Sequence, residues 1–575
     1  MAYTNADITA IFEEVADLLE IEGANSFRVR AYRQAAENIS DMGRSLHDLV
    51  TAEEDLTKLP GIGKDLAGAI RELVLTGTYL DLEPLRQRVN PSLRQILRIP
   101  GLGPKKVRKL HEDLGINTVE DLQAAVDQHR LSTLEGFGKK SEEKIAKELA
   151  AGRTKKERQR IDEVEETAVA YESLLIEVDG VENVAAAGSY RRKRDTIGDL
   201  DVLAAARDSG PGIEAFVGFD RVTQVTGQGE TRSAVVLRGG LAVDLRVVAP
   251  ESYGAALLYF TGSKDHNIQL RQRAIERGWK LNEYGLLRED DSIVAGASEE
   301  GIYRALDLPY IEPELRENRG EIESADAGTL PSLITLDDIK GDIHTHTTWS
   351  DGKGSIEEMA RAALERGHEY VAITDHSPRL AMTNGLRPER IRQQMIEIRE
   401  VQERVREIRI LHGNEVDILK DGTLDQPDDI LAELEIVIAS VHSHFELSRE
   451  AQTERVLAAI NHPQVRIIGH LTGRLLTQRD GIDLDLEQVL TSARDAGVVM
   501  EINADPHRLD LDDRSAKFAK EIGCSFVINT DAHRTSGFDL MRHGVNQARR
   551  GWLEAGDAVN TLPLEKMLQS LRPKP

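Results

Sequence analysis

From about residue 339 onward, short β-branched runs alternate with amphipathic helical stretches: Tyr370 to Ile373, Ile408 to Leu411, Ile436 to Ile438, Val465 to Ile468, Val498 to Met500 and Phe526 to Ile528. Repeated strand-helix units predict a β/α barrel. A histidine or acid follows most of these runs: His376 after Ile373, Glu415 after Leu411, His442 after Ile438, His470 after Ile468, and Asp531 with His533 after Ile528. A barrel gathers such strand ends at one mouth, where active sites form. Upstream, His344 and His346 at i and i+2 share a strand face. Asp342 lies there too, as a ligand or its support, and Asp351 follows in the turn Ser350-Asp351-Gly352. A single such histidine is an ordinary surface or core residue, but a succession of them implies a multinuclear metal hydrolase. Asp375 and His444 are expected to support ligands rather than bind. A mixed His/carboxylate set suits manganese, zinc or iron better than magnesium alone.

A second constellation stands far upstream. Asp199 and Asp201 at i and i+2 point to one strand face, and Asp244 lies in another alternating stretch, Ala242 to Arg246. Hard oxygen ligands so placed suit nucleotidyl transfer with two divalent ions, magnesium or manganese. The preceding turn, Gly188-Ser189-Tyr190-Arg191-Arg192, offers cations for a triphosphate. Exposed strand-end acids are the plain alternative.

The first 150 residues are helical by pattern and repeat an apolar-x-Gly-apolar-Gly phrase, at Gly61-Ile62-Gly63-Lys64, Gly101-Leu102-Gly103-Pro104-Lys105 and Gly136-Phe137-Gly138-Lys139. Two glycines around one apolar anchor permit a tight turn whose outward amides hold a phosphate oxygen. The phrase resembles the helix-hairpin-helix motif of DNA repair proteins, which grips backbone rather than bases. Unequal spacings argue against a solenoid.

The net charge of -26 confines any nucleic-acid contact to local patches and backbone amides. One cysteine, Cys524, excludes an intramolecular disulfide and a cysteine-based zinc finger, and fits a reducing, cytoplasmic setting. Residues 1–20 mix acids into their apolar pattern and read as a helix rather than a leader.

Gly188 to Arg192 through Gly198-Asp199-Leu200-Asp201 resembles the palm signature of the family X DNA polymerases, the group containing polymerase beta. Tyr259-Phe260-Thr261-Gly262-Ser263 with Asn267, then Arg271 and Leu281 to Tyr284, continue the likeness. The resemblance implies that Asp199 and Asp201 bind both ions while Asp244 helps activate the primer 3′-hydroxyl. It implies Ser189 and Arg192 on the triphosphate, Tyr259 and Phe260 near the sugar, Asn267 near the base and Arg271 on the template side, with Gly188, Gly198 and Gly262 also among the nucleotide-binding residues. Family members with lyase activity carry a lysine where this chain has Ala69. Lys193 and Ala242 also depart from the pattern, and neither removes an ion ligand.

Downstream, Asp342-Ile343-His344-Thr345-His346, Ser350-Asp351-Gly352, Thr374-Asp375-His376, His412-Gly413-Asn414-Glu415, Ser440-Val441-His442-Ser443-His444, Gly469-His470 and Asp531-Ala532-His533 resemble the PHP (polymerase and histidinol phosphatase) superfamily. That likeness implies a (β/α)7-like barrel and a trinuclear site with Glu415 bridging two ions. The ligands would be His344, His346, Asp351, His376, Glu415, His442, His470, Asp531 and His533, with manganese favoured and zinc an alternative.

Together the resemblances imply a multidomain chain. Residues 1–82 and 83–158 are expected as helical domains, 159–250 as an α/β nucleotidyltransferase palm, 251–316 as a small nucleotide-selecting thumb, 317–338 as a linker and 339–575 as the PHP barrel. The expected work is filling short gaps in base excision repair, with 3′-5′ exonuclease and further AP endonuclease or 3′-phosphatase activity. The expected partners are gapped or nicked duplex DNA and deoxynucleoside triphosphates, bound by a monomer with no membrane. The alternatives are a phosphoesterase for another substrate tethered to DNA by a non-polymerising half, and a non-catalytic scaffold.

Overall fold

The computed structural model describes residues 5–40, 46–59, 61–79, 82–89, 91–97, 99, 101–134, 137–150, 158–379 and 383–571. The chain forms two compact units, residues 1–158 with 213–245 and residues 159–212 with 246–575.

The first unit is mainly helical. Helices Asn5–Glu22 and Ser26–Ser40 meet through Phe12 and Tyr32, whose rings pack edge-on with centroids 5.3 Å apart, and the Tyr32 and Tyr79 hydroxyls share a hydrogen bond of 2.6 Å. Helix Lys64–Thr76 buries Leu66, Ala67, Ile70, Leu73 and Val74 at helical spacing and stops at Gly77, whose φ of 72° is open to glycine. Residues 213–245 add an antiparallel pair, Val222–Gln228 with Arg232–Leu237.

In the second unit, strands Val181–Ala186 and Leu200–Ala206 pair antiparallel with Ala186 opposite Val202. Helices Tyr253–Thr261, Lys264–Ile275 and Glu299–Ala305 and a three-stranded antiparallel sheet then enclose a core of Leu258, Leu270, Leu286, Ile302 and Tyr303. The stretch expected as a linker contains helix Glu321–Ala327, whose Glu321 lies in that core. Its Oε1 is 2.7 Å from His266 Nδ1 and its carboxylate accepts the Asn318 and Arg319 amides at 2.9 and 2.6 Å. Composition registers the acids of this segment but not their distant partners.

Seven parallel strands then follow in consecutive order: β1 (Gly341–Thr345), β2 (Tyr370–Ile373), β3 (Arg409–Asp417), β4 (Ile436–Ser440), β5 (Ile467–Ile468), β6 (Val499–Asn503) and β7 (Phe526–Asn529). Nearly every residue in them is buried, as expected of parallel strands covered by crossover helices. The barrel is nearly closed: Asn529 Oδ1 accepts the Ile343 amide at 3.1 Å, and the carbonyl of Ala532, just past β7, accepts the His346 amide at 2.9 Å. Helix Ile356–Glu365 begins at a Ser355/Glu358 capping box and lays Ile356, Met359, Ala360 and Ala363 on the barrel.

Candidate active sites

The barrel mouth collects the downstream residues. His344 lies one residue before the end of β1 and His346 just past it, both fully buried, and the turn after them carries Asp351. Gly352 permits that turn, because a Cβ there would lie 2.6 Å from the His346 carbonyl. His376 follows β2, His442 follows β4, His470 follows β5, and Asp531 with His533 follow β7. Glu415 differs from the expectation, since it lies inside β3 rather than beyond it.

Glu415 is central. Its carboxylate oxygens lie 2.9 Å from His376 Nδ1 and His470 Nε2, 3.2 Å from His442 Nε2, 3.5 Å from His344 Nε2 and 3.6 Å from His346 Nε2. Asp531 Oδ1 lies 3.0 Å from His346 Nε2, and Asp351 reaches both His376 Nε2 and His533 Nε2 at 3.5 Å. Three overlapping groups result: His346, Asp351, His376 and His533; His344, His346 and Asp531; and His376, Glu415 and His442, with donor atoms in each group within 4.8 Å of one another.

Several of these atoms are buried without a hydrogen bond, among them His344 Nε2, His346 Nε2, His376 Nδ1, Glu415 Oε2 and Asp531 Oδ1. Orphaned lone pairs at this density are costly unless cations draw on them, so the donor set fits divalent metal binding. His470 (φ 22°) and Asp531 (φ 56°) also hold left-handed backbone conformations that non-glycine residues seldom adopt.

Burial disfavours every charge here, and the neighbours decide the outcome. Despite burial, Glu501, Asp531 and Glu415 hold His344 well above the usual imidazole range. The surrounding histidines drive Glu415 and Asp531 well below the carboxylate range against the same penalty. Burial, with His533 and His376 alongside, brings His346 down to about 4.

Supporting residues complete the site. Asp375 accepts from the Thr347 amide and hydroxyl at 2.8 and 2.6 Å and from Gln394 at 2.6 Å, so it secures the loop bearing Asp351. Asp342 accepts the His344 and Thr530 amides, both at 3.2 Å, and joins none of the three groups. His444 is outside them too, 3.7 Å from Glu446. Two supports were not anticipated. Glu501 on β6 binds His344 Nδ1 at 2.6 Å and Asp417 on β3 binds His442 Nδ1, so each turns an Nε2 toward Glu415. A lone acid inside the apolar run Val499-Met500-Glu501-Ile502 is the signal that marks Glu501.

In the same unit, a short helical turn, Gly188–Arg191, lies against Asp201. Gly188 has φ 59°, and a Cβ there would overlap the Asp201 carboxylate; the Ala187 amide donates to the Asp201 carbonyl at 2.7 Å. Asp199 is exposed and Asp201 half-buried at the start of strand Leu200–Ala206. Arg191 forks onto Glu299 at 2.6 and 2.9 Å, whereas Arg192 donates Nε to Glu317 at 3.0 Å and Nη1 to the Thr261 carbonyl. Gly262 (φ 72°) lies against that guanidinium, 3.1 Å from where its Cβ would be. Ser189 is half-buried in the turn, and Gly198 precedes Asp199. Tyr259 and Phe260 pack edge-on at 5.2 Å; Asn267 donates to the Tyr259 carbonyl at 2.7 Å, and Arg271 to the Asn267 carbonyl at 3.3 Å.

In the other unit, Asp244 pairs with Arg232 at 3.0 Å. Gly61 (φ 70°) and Gly101 (φ 89°) turn into helices Lys64–Thr76 and Pro104–Leu114, whose N-caps Gly63 and Gly103 offer no side-chain cap. Ile62, Leu102 and Phe137 are buried anchors, Lys64 is exposed, and Lys105 is 88% exposed. Helix Lys139–Ala150 follows Gly138; Gly136 and the Lys139 side chain lie outside the described residues.

Family profiles match for a helix-hairpin-helix domain (residues 3–79), a SAM-like helix-hairpin-helix tandem (93–151), a DNA polymerase beta thumb (256–317) and a PHP domain (342–505). The chain is 40% identical over 562 residues to the DNA polymerase/3′-5′ exonuclease PolX of Bacillus subtilis (strain 168), covering 97% of this chain and 98% of that one. It is also 34% identical over 212 residues to a probable phosphatase of Thermoanaerobacter sp. (strain X514), covering 35% of this chain and 81% of the relative.

Proposed function

Because the chain belongs to the family X DNA polymerases that carry a C-terminal PHP domain, we propose that it fills short gaps during DNA repair and trims 3′ ends with the same polypeptide. The carrying observation is the near end-to-end likeness to a polymerase/exonuclease, supported by the groups of histidine and carboxylate donors at the barrel mouth.

In this reading Asp199, Asp201 and Asp244 hold the ions of nucleotidyl transfer, magnesium or manganese. Gly188, Ser189, Gly198 and Arg192 receive the triphosphate, Tyr259, Phe260 and Gly262 line the sugar, Asn267 faces the base and Arg271 the template. Residues 159–250 act as palm, 251–316 as thumb and 339–575 as the exonuclease. The hairpins at Gly61-Gly63-Lys64, Gly101-Gly103-Lys105 and Gly136-Gly138-Lys139 grip duplex backbone through amides and lysines. Ala69, buried on the inner face of its helix, argues against a lyase role for that position.

The barrel ligands would hold three divalent ions, manganese favoured. Bound there, such ions supply an activated water and charge stabilisation for phosphodiester hydrolysis. Glu501 and Asp417 fix the tautomers of His344 and His442, and Asp375 keeps the Asp351 loop in place. AP endonuclease or 3′-phosphatase action at this centre, a monomeric state and a cytoplasmic location complete the proposal; no helix among the described residues is long and apolar enough to cross a membrane.

The likeness to a probable phosphatase favours a second reading, a phosphoesterase for another substrate tethered to DNA. A primer on a one-nucleotide-gapped duplex with a downstream 5′-phosphate, incubated with manganese, separates the two. Extension with deoxynucleotides and shortening without them supports the first reading; extension without shortening assigns the barrel another substrate; neither rejects the polymerase reading.

A further inference from the structure

The turn that carries Ser189 and Arg192 is fastened to the C-terminal barrel. Arg550, the last residue of barrel helix Met541–Arg550, has a side chain only 1% exposed and donates to the Arg192 carbonyl at 2.6 Å. The same Nη1 donates to Glu317 at 3.1 Å, and Nη2 donates to Asp513, the first residue of barrel helix Asp513–Ile522. Glu317 in turn accepts Arg192 Nε at 3.0 Å and lies 3.7 Å from Arg194, while Arg319 pairs with Asp513 at 3.0 Å. Four arginines thus share two acids, an excess of positive charge held in place by largely buried side chains. Arg192 Nη2 makes no hydrogen bond among the described residues, so the fixed guanidinium keeps one donor group for an anion.

We propose that Arg550 is a positioning residue of the polymerase nucleotide site, holding the backbone and, through Glu317, the guanidinium of Arg192 for a deoxynucleoside triphosphate. The barrel then has two roles, a phosphoesterase centre at its mouth and a buttress for nucleotide binding on its flank. A planar guanidinium suits the second role, because one fork reaches a carbonyl and two carboxylates at fixed angles and an ammonium does not. The inference rests on reading residues 188–192 as the triphosphate turn.

The test uses the full chain on gapped DNA with a dideoxy-terminated primer, which permits nucleotide binding without chemistry. Arg550→Gln is expected to weaken deoxynucleotide binding about tenfold, the size of one lost charge-assisted hydrogen bond. Arg550→Lys is expected to fall between it and the parent, and both variants should shorten a single-stranded primer at the parent rate. Parental nucleotide affinity in Arg550→Gln overturns the proposal. So does equal loss of nucleotide binding and shortening with a lowered melting temperature in both variants, which marks a purely structural residue. A parent chain that binds nucleotide but never extends a normal primer defeats the gap-filling reading and leaves this comparison readable. A parent that binds no nucleotide overturns both.

Discussion

His344 Nδ1 lies 2.6 Å from Glu501 Oε1, and the two residues are separated by most of the barrel sequence. The contact leaves His344 Nε2 as the nitrogen directed at Glu415 and Asp531. Removing the negative charge while keeping the shape, in Glu501→Gln, is expected to lower metal affinity and 3′ shortening by about 10- to 100-fold. Metal content after dialysis and the shortening rate report this, and polymerase extension should be unaffected.

Gly188→Ala is expected to abolish primer extension, because the new Cβ overlaps the Asp201 carboxylate and the residue must keep φ 59°. The backbone strain alone costs about 1–2 kcal/mol. A gel assay of extension beside shortening checks it; a variant that extends normally would show the turn to be more accommodating than its packing.

Glu299 links the Gly188–Arg191 turn to the thumb core through Arg191 and the fully buried Arg316. Burial raises its pKa, but Arg316 and Arg191 outweigh that and bring it to about 2, below the usual 4.5. A depressed acid contributes stability fully above its unfolded value and loses it as pH falls through the folded one. Unfolding free energy should therefore drop by about 3 kcal/mol between pH 4.5 and pH 2 from this group. In Glu299→Gln that slope should flatten, and the variant should be about 3–5 kcal/mol less stable at neutral pH, since two arginines keep their charge without its partner. Chemical denaturation across pH measures both.

Lys105→Ala removes one highly exposed cation from the second hairpin. It is expected to weaken duplex binding similarly for all sequences and to reduce the salt slope of log K by about 0.9 for the lost phosphate contact. Titrations at several salt concentrations test this, and an unchanged slope would remove Lys105 from the DNA contact.

Much of the barrel mouth is legible because His376, His442, His470, Asp531 and His533 stand just past apolar runs, where barrel strands end, while His344 and His346 show by their i, i+2 spacing and Asp351 by its turn. Glu415 is legible as a candidate but not as a residue inside a strand. The polar stretch His412-Gly413-Asn414 hides the continuation of β3, which stays a strand because Asn414 bonds the Asp375 carbonyl and His412 Nε2 meets Gln394 at 3.1 Å. Glu501 shows in the sequence only as a lone acid in an apolar run and Asp417 not at all, because both act through a histidine on another strand or loop. The helix at Glu321–Ala327 and the Arg191–Glu299 fork were hidden likewise, since their partners are 55 and 108 positions away. The hairpins were plain because glycine spacing is a local demand.

The near-closure of the barrel carries a mechanical consequence. Where β1 meets the end of β7, backbone pairing is sparse, and His344 and His346 from one edge face Asp531 from the other. An ion drawing on both edges would act as a removable clasp on a loop almost the length of the domain, a constraint of about 5 kcal/mol by the chain-entropy relation for cross-links of that span. Chelation should then do more than silence hydrolysis: amide exchange should quicken along β1 and β7 ahead of the remaining strands, so that the catalytic metals also serve as the fastener of the fold that holds them.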